Sequence, residues 1–158
     1  MARATFVQKA RKDVEGTDIK AGDSYYWWKF RFGGKRYSKT APRRSQLTQS
    51  NFLGQLYDLQ DRIGDMVCDS VGDFDDFRDG VLADIEDLKS ECENNLENMP
   101  EQLRESSSGE ILQERIDALE SWYSEIENIQ VEESEDEDEL EDNVQNAVSE
   151  LQNTDSGL

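Results

Sequence analysis

The densest run of chemically expressive side chains lies between Tyr25 and Tyr37, which holds seven of the fourteen aromatic residues in the chain. The segment Tyr25-Tyr26-Trp27-Trp28-Lys29-Phe30-Arg31-Phe32-Gly33-Gly34-Lys35-Arg36-Tyr37 interleaves rings with cations. That combination can stack on a base or sugar while neutralising phosphate. A two-residue Gly33-Gly34 turn, at which glycine accepts positive φ, puts Phe32 opposite Lys35. Alternation then predicts Tyr26, Trp28, Phe30, Phe32 and Tyr37 on an inner face. The outer face carries Tyr25, Trp27, Lys29, Arg31, Arg36, Ser38 and Thr40. Arg31 falls directly opposite Arg36, a like-charge pair that destabilises a hairpin unless an anion sits between the two. The candidate nucleic-acid-binding residues are Tyr25, Trp27, Lys29, Arg31, Lys35, Arg36, Lys39, Arg43 and Arg44. Two other readings stand beside this one: an ordinary sheet with its cations outside, or cations held by the chain's own acidic part.

The remaining chemistry is sparse. With no histidine, the usual general acid–base residue and the common zinc patterns are absent. Carboxylates are abundant, but no apolar pocket is indicated that would raise the pKa of one for catalysis. No Gly-rich phosphate loop, nucleophile elbow or Ser/Lys constellation occurs. We therefore expect no enzyme activity, no catalytic residues, no metal site and no cofactor. Asp73, Asp75, Asp76 and Asp79 miss the EF-hand spacing and read as the start of a helix, where carboxylates suit the positive end of the dipole. Cys68 and Cys92 read as small apolar fillers of a reduced, cytosolic protein. In an antiparallel helix pair turning near Gly72 they stand about 30 Å apart at helical rise, too far to bridge.

The elements that position these residues follow from periodicity. Thr5 to Lys9, Tyr25 to Phe32 and Lys35 to Thr40 read as three strands, ended by Pro42. A helix over about 47–69, capped by Ser45 or Thr48, places Phe52, Leu56, Leu59, Ile63 and Met66 along one seam. A second, over about 73–98, uses Phe74, Phe77, Val81, Ile85, Leu88, Cys92 and Leu96. A third, over about 109–131, uses Leu112, Ile116, Leu119, Tyr123 and Ile126. These seams are narrow and coiled-coil-like. Short links at Val71-Gly72 and from Pro100 to Gly109 favour an up-down-up bundle or a helical hairpin. Residues 132–142 carry nine acidic groups in eleven positions, a composition that stays solvated. Leu140, Val144, Ala147, Val148 and Leu151 mark a further short helix that overlaps the end of this run.

The predicted fold is α+β: a small antiparallel three-stranded sheet over residues 1–44, an acidic three-helix bundle over 45–131, and an acidic, partly disordered tail over 132–158. Charge divides along the same line. Residues 1–50 hold twelve basic and four acidic groups, a net +8. The other 108 residues hold five basic and 33 acidic groups, a net −28. Such asymmetry points to an interaction protein whose basic part attracts polyanions and whose acidic part repels them. No apolar run reaches the length of a membrane span, and the first residues lack the apolar core of a secretion signal. A cytoplasmic location without membrane association is therefore expected.

Residues 24–55, above all Tyr26 to Thr40, resemble the arm-type DNA-binding module of phage tyrosine recombinases. In that module a three-stranded sheet with one helix enters the DNA major groove. The resemblance covers a fifth of the chain and stops where acidic helices replace the recombinase core-binding and catalytic domains, so recombinase activity is not implied. The whole chain is also similar to uncharacterised small proteins of tailed bacteriophages, which implies a bacterial host cytoplasm. The expectation is a non-enzymatic phage-type protein that contacts nucleic acid through the hairpin. Its acidic bundle would mediate self-association into homo-oligomers, partner binding or autoinhibition. The competing class is an acidic DNA mimic, or a structural or inhibitory protein, that binds a basic host or phage protein and not DNA.

Overall fold

β-branched and aromatic residues set the strands. In the computed structural model, which describes residues 1–158, β1 is Thr5–Val7, β2 is Tyr25–Lys29 and β3 is Lys35–Ser38. They form one antiparallel sheet in the order β1-β2-β3, so the aromatic strand is central. A short 3-10 helix, Arg44–Leu47, leads to five α-helices: α1 Asn51–Gly64, α2 Val71–Glu97, α3 Glu101–Arg104, α4 Ser107–Glu127 and α5 Glu137–Gln152. The α+β architecture matches the expectation. The chain divides into two compact units, Met1–Asp58 and Leu59–Leu158, with the boundary inside α1.

In the first unit, Ala10, Ile19, Trp28, Phe30, Phe52, Leu56 and Tyr57 are buried. The long connection from β1 to β2 is closely tied down. Ala10 N–H donates to the Asp23 carbonyl and Gly22 N–H to the Ala10 carbonyl, at 2.8 and 2.9 Å. The Asp13 carboxylate accepts from Ala21 N–H at 2.8 Å, and that of Asp23 from Lys20 N–H at 3.0 Å. Gly16 and Gly22 take φ of 78° and 99°, turns that a side chain would strain.

The β2–β3 connection departs from expectation. It spans the five residues Phe30 to Gly34, not two, and the pairs are Trp27↔Tyr37, Trp28↔Arg36 and Lys29↔Lys35. Phe30 is buried and so leaves the ladder early. Gly33 fits beside it, where an added Cβ would stand 3.5 Å from the Phe30 Cβ. The Gln49 side chain donates to the Phe32 carbonyl at 3.2 Å and holds the loop from outside the hairpin. The register moves by three residues, and an odd shift turns each β3 residue to the other face relative to β2.

α1 begins at Asn51, later than expected. Its cap is Ser50, whose Oγ accepts from Leu53 N–H at 3.3 Å, and not Ser45 or Thr48. α2 is capped by Ser70, whose Oγ accepts from Asp73 N–H and donates to the Asp73 carboxylate at 2.8 Å, so the acidic cluster does open a helix. In the second unit α2 packs chiefly along α4, to which the link through α3 returns the chain; α5 also lies against α2. Phe74, Val81, Ile85, Leu88 and Cys92 of α2 are buried, as are Ile116, Leu119 and Ile126 of α4. Trp122, and not Tyr123, fills the fourth α4 position: its ring is buried and its Nε1–H donates to Thr154 Oγ1 at 2.9 Å.

A helix, α5, takes up much of the tail. Asp136 caps α5 by accepting from Asp138 and Glu139 N–H, and Val144, Ala147, Val148 and Leu151 are buried. Glutamine side chains complete the docking: Gln145 donates to the Cys68 carbonyl, and Gln152 to those of Gly64 and Met66. An acidic segment can fold here because its carboxylates face out while a stripe of four apolar residues faces in. Cys68 and Cys92 are buried free thiols, and burial pushes both thiol pKa values up, which suits fillers more than reactive groups. No helix is long and apolar enough to cross a membrane.

Candidate nucleic-acid interface

Directly opposed residues of an antiparallel pair share a face, and neighbours along a strand alternate. The observed register therefore puts Tyr25, Trp27 and Lys29 of β2 on one face with Lys35 and Tyr37 of β3 and with Thr5 and Val7 of β1. Ring geometry agrees. The Tyr25 and Tyr37 centroids lie 6.2 Å apart with planes tilted by 47°, and Lys35 Nζ stands 4.7 Å from the Trp27 centroid. The three rings are half-exposed and both lysines exposed. The opposite face carries Phe6, Tyr26, Trp28, Arg36 and Ser38, with Trp28 buried and Phe6 tilted on Tyr26 at 4.9 Å.

Of the nine candidate residues, the structure thus gathers Tyr25, Trp27, Lys29 and Lys35. Arg36 stands on the Trp28 side, its guanidinium 6.0 Å from the Phe30 ring, so the expected pairing of Arg31 with Arg36 does not form. Arg31 lies in the connecting loop, 5.2 Å from the exposed Phe32 ring. Lys39 is held by Asp23 at 2.9 Å and Asp18 at 3.6 Å. The hydrogen bond to Asp23 keeps the Lys39 ammonium above its ordinary pKa. The Asp23 carboxyl is kept below its own, first by the Lys20 amide and then by Lys39. This cation is compensated within its own unit. Arg43 is exposed ahead of the 3-10 helix, where its N–H donates to the Gln46 side chain, and Arg44 stacks on Tyr57 at 4.1 Å.

One like-charge pair does form. Lys29 lies directly opposite Lys35, and no carboxylate comes within ion-pair distance of either. Trp27 offers Lys35 a cation–π contact, but Lys29 has no such partner. An anion between the two would relieve the repulsion.

Comparison with protein-family models, with curated proteins and with solved structures finds no match to this chain.

Sequence reasoning missed two contributions to this face. Tyr37 was expected inside and is outside, as the register dictates. Lys9, Arg11 and Lys12 join Tyr25 and Tyr37 around a cavity of about 540 Å³. The signal for these three cations was present as a short basic run just after the first strand, although Asp13 and Glu15 follow it directly and only the structure shows the cations outside ion-pair distance of them. What sequence did not supply was the folding back of the 8–24 connection that brings them to the tyrosines.

Proposed function

We propose that the first unit is a nucleic-acid-binding module and that the Tyr25/Trp27/Tyr37 face of its sheet is the contact surface. The observation that carries this reading is the Lys29–Lys35 pair, unneutralised and on the same face as three half-exposed rings. Phosphate would sit between the two ammonium groups while the rings meet bases or sugars. Arg31, Arg43 and Arg44 would add backbone contacts from outside the sheet. The chemistry is binding, with no catalytic step. The resemblance of residues 24–55 to the recombinase arm-type module is in keeping with this reading, while that of the chain to small tailed-phage proteins implies only a phage or prophage setting and no activity.

The second unit holds five basic and 32 acidic groups, a net −27, and cannot itself attract nucleic acid. It would serve self-association or capture of a basic protein. A second reading rests on that charge alone, with the whole protein acting as an acidic inhibitor of a basic partner.

The test is fluorescence anisotropy of the full chain on labelled nucleic acid across a salt series. The double variant Lys29→Gln/Lys35→Gln should weaken binding and flatten the log K against log [salt] slope by roughly 1.5 to 2. A slope the variant leaves unaltered removes the lysine pair from the interface. Absence of any binding turns attention to basic protein partners.

A further inference from the structure

We infer that the cavity between the 8–24 connection and the sheet is a pocket for one unpaired base, so that this face takes single-stranded nucleic acid in preference to duplex. The inference rests on the nucleic-acid reading above and narrows it. The pocket has three kinds of wall. Tyr25 and Tyr37 supply rings, and Val7 and Val14 supply apolar sides. Lys9, Arg11 and Lys12 stand around it, all exposed and none within ion-pair distance of a carboxylate. Its volume, about 540 Å³, falls in the range of roughly 300–1,000 Å³ usual for small-ligand sites.

Each wall suits a different part of a nucleotide. The tyrosine rings are 6.2 Å apart and tilted, too close and too angled for a base to slide between them. A base would instead lie against them, as on an aromatic platform. The cations would take the phosphate on either side of it. Two carboxylates also line the cavity, and they differ. Asp13 is already engaged by Ala21 N–H and Lys20 Nζ, whereas Glu15 has no hydrogen-bond or ion-pair partner. Glu15 is thus the free acceptor at the pocket and fits an exocyclic amino group, which adenine, cytosine and guanine carry and thymine and uracil lack.

The geometry also explains why the base must be unpaired. Inside a duplex both faces of a base are covered by its neighbours, and only a base out of the stack can meet the rings. Continuing along the same face, Lys29 lies four residues beyond Tyr25, about 13 Å at strand rise. The Lys29–Lys35 pair would therefore hold phosphate further along one strand whose base occupies the pocket. A rigid duplex in the major-groove manner would use the lysines but leave the cavity empty.

The experiment is fluorescence anisotropy with the full chain and labelled oligonucleotides of one length: single-stranded dA, dC and dT, a single-stranded RNA, and a DNA duplex. We expect single strands to bind about tenfold or more tightly than duplex, with dA and dC ahead of dT. The stronger of the DNA and RNA arms names the natural ligand. Glu15→Ala, an exposed substitution that does not threaten the fold, should erase the preference for dA and dC over dT. Tyr37→Leu, checked for folding by circular dichroism, should cost the single strand about tenfold. Equal or tighter binding of duplex, still lost in Lys29→Gln/Lys35→Gln, overturns the pocket while keeping the sheet face as a binding surface. Preference for dT, or indifference to Glu15→Ala, also overturns it. No binding in any arm overturns the pocket and the nucleic-acid reading together.

Discussion

Asp13 and Asp23 show how single carboxylates hold the segment that carries the cations. Each accepts a backbone N–H across the connection, and that bond is the chief cause of a pKa below the ordinary 3.8. A carboxyl depressed in the fold contributes stability that is complete above its ordinary value and is lost as pH falls through the lowered one. Protection of the Lys20 and Ala21 amides from exchange, taken relative to their intrinsic rates at each pH, should therefore hold at neutral pH and fall only below 3.8. Lys39 runs the other way: raised above 10.5, its contribution is present below that value and lost only as pH climbs past it. A part-buried residue of the second unit offers a cleaner mutational test. Thr154→Val keeps the shape beside Trp122 but removes the acceptor of the indole N–H. Leaving a buried donor unpaired should cost about 1–3 kcal/mol, read by urea denaturation.

At the scale of elements, close approach decides more than propensity. Gly109 lies in the first turn of α4, where an added Cβ would collide with the Arg104 carbonyl at the end of α3. Alanine is the better helix former by roughly 1 kcal/mol, so propensity alone predicts that Gly109→Ala stabilises. The clash is with backbone, which cannot swing aside, and the variant should instead lose about 1–3 kcal/mol in chemical denaturation. A stabilised variant would mean that α3 moves away freely. The hairpin teaches the same lesson. Strand β2 was legible from its aromatic and β-prone run, but its partners were not. The Gly-Gly pair signalled a tight turn, while the burial of Phe30 and the bond from Gln49 impose a longer one. Trp122 was likewise hidden: its heptad neighbour Tyr123 is also aromatic, and only the presence of Thr154 and the core decides which ring turns inward.

For the whole molecule the governing quantity is charge. At net −20 the chain repels itself, with the excess concentrated in the second unit. Screening shortens the reach of that repulsion, so the melting temperature should rise as sodium chloride goes from low to physiological concentration. A fall would mean that attractions between opposite charges, such as would underlie autoinhibition, outweigh the repulsion. The same screening should weaken nucleic-acid binding, so stability and affinity are expected to move in opposite directions with salt.

What the sequence determined by itself is what depends on local order along the chain. It set the three strands, the helical seams through Phe52 to Ile63 and Phe74 to Cys92, the opening of α2 at its acidic cluster, and the division of charge between the two parts. Each follows from spacing or composition, which folding does not alter. The tertiary structure decided which residues meet. It turned Tyr37 outward and Arg36 to the other face, replaced an arginine pair with Lys29 and Lys35, and neutralised Lys39 with Asp18 and Asp23. It also brought Lys9, Arg11 and Lys12 to the tyrosines. The physical reason is that side-chain direction in a strand has a period of two residues. With Phe30 buried and Gln49 bonded to the loop, the connection is three residues longer than a Gly-Gly turn, and that odd shift exchanges the faces of the returning strand.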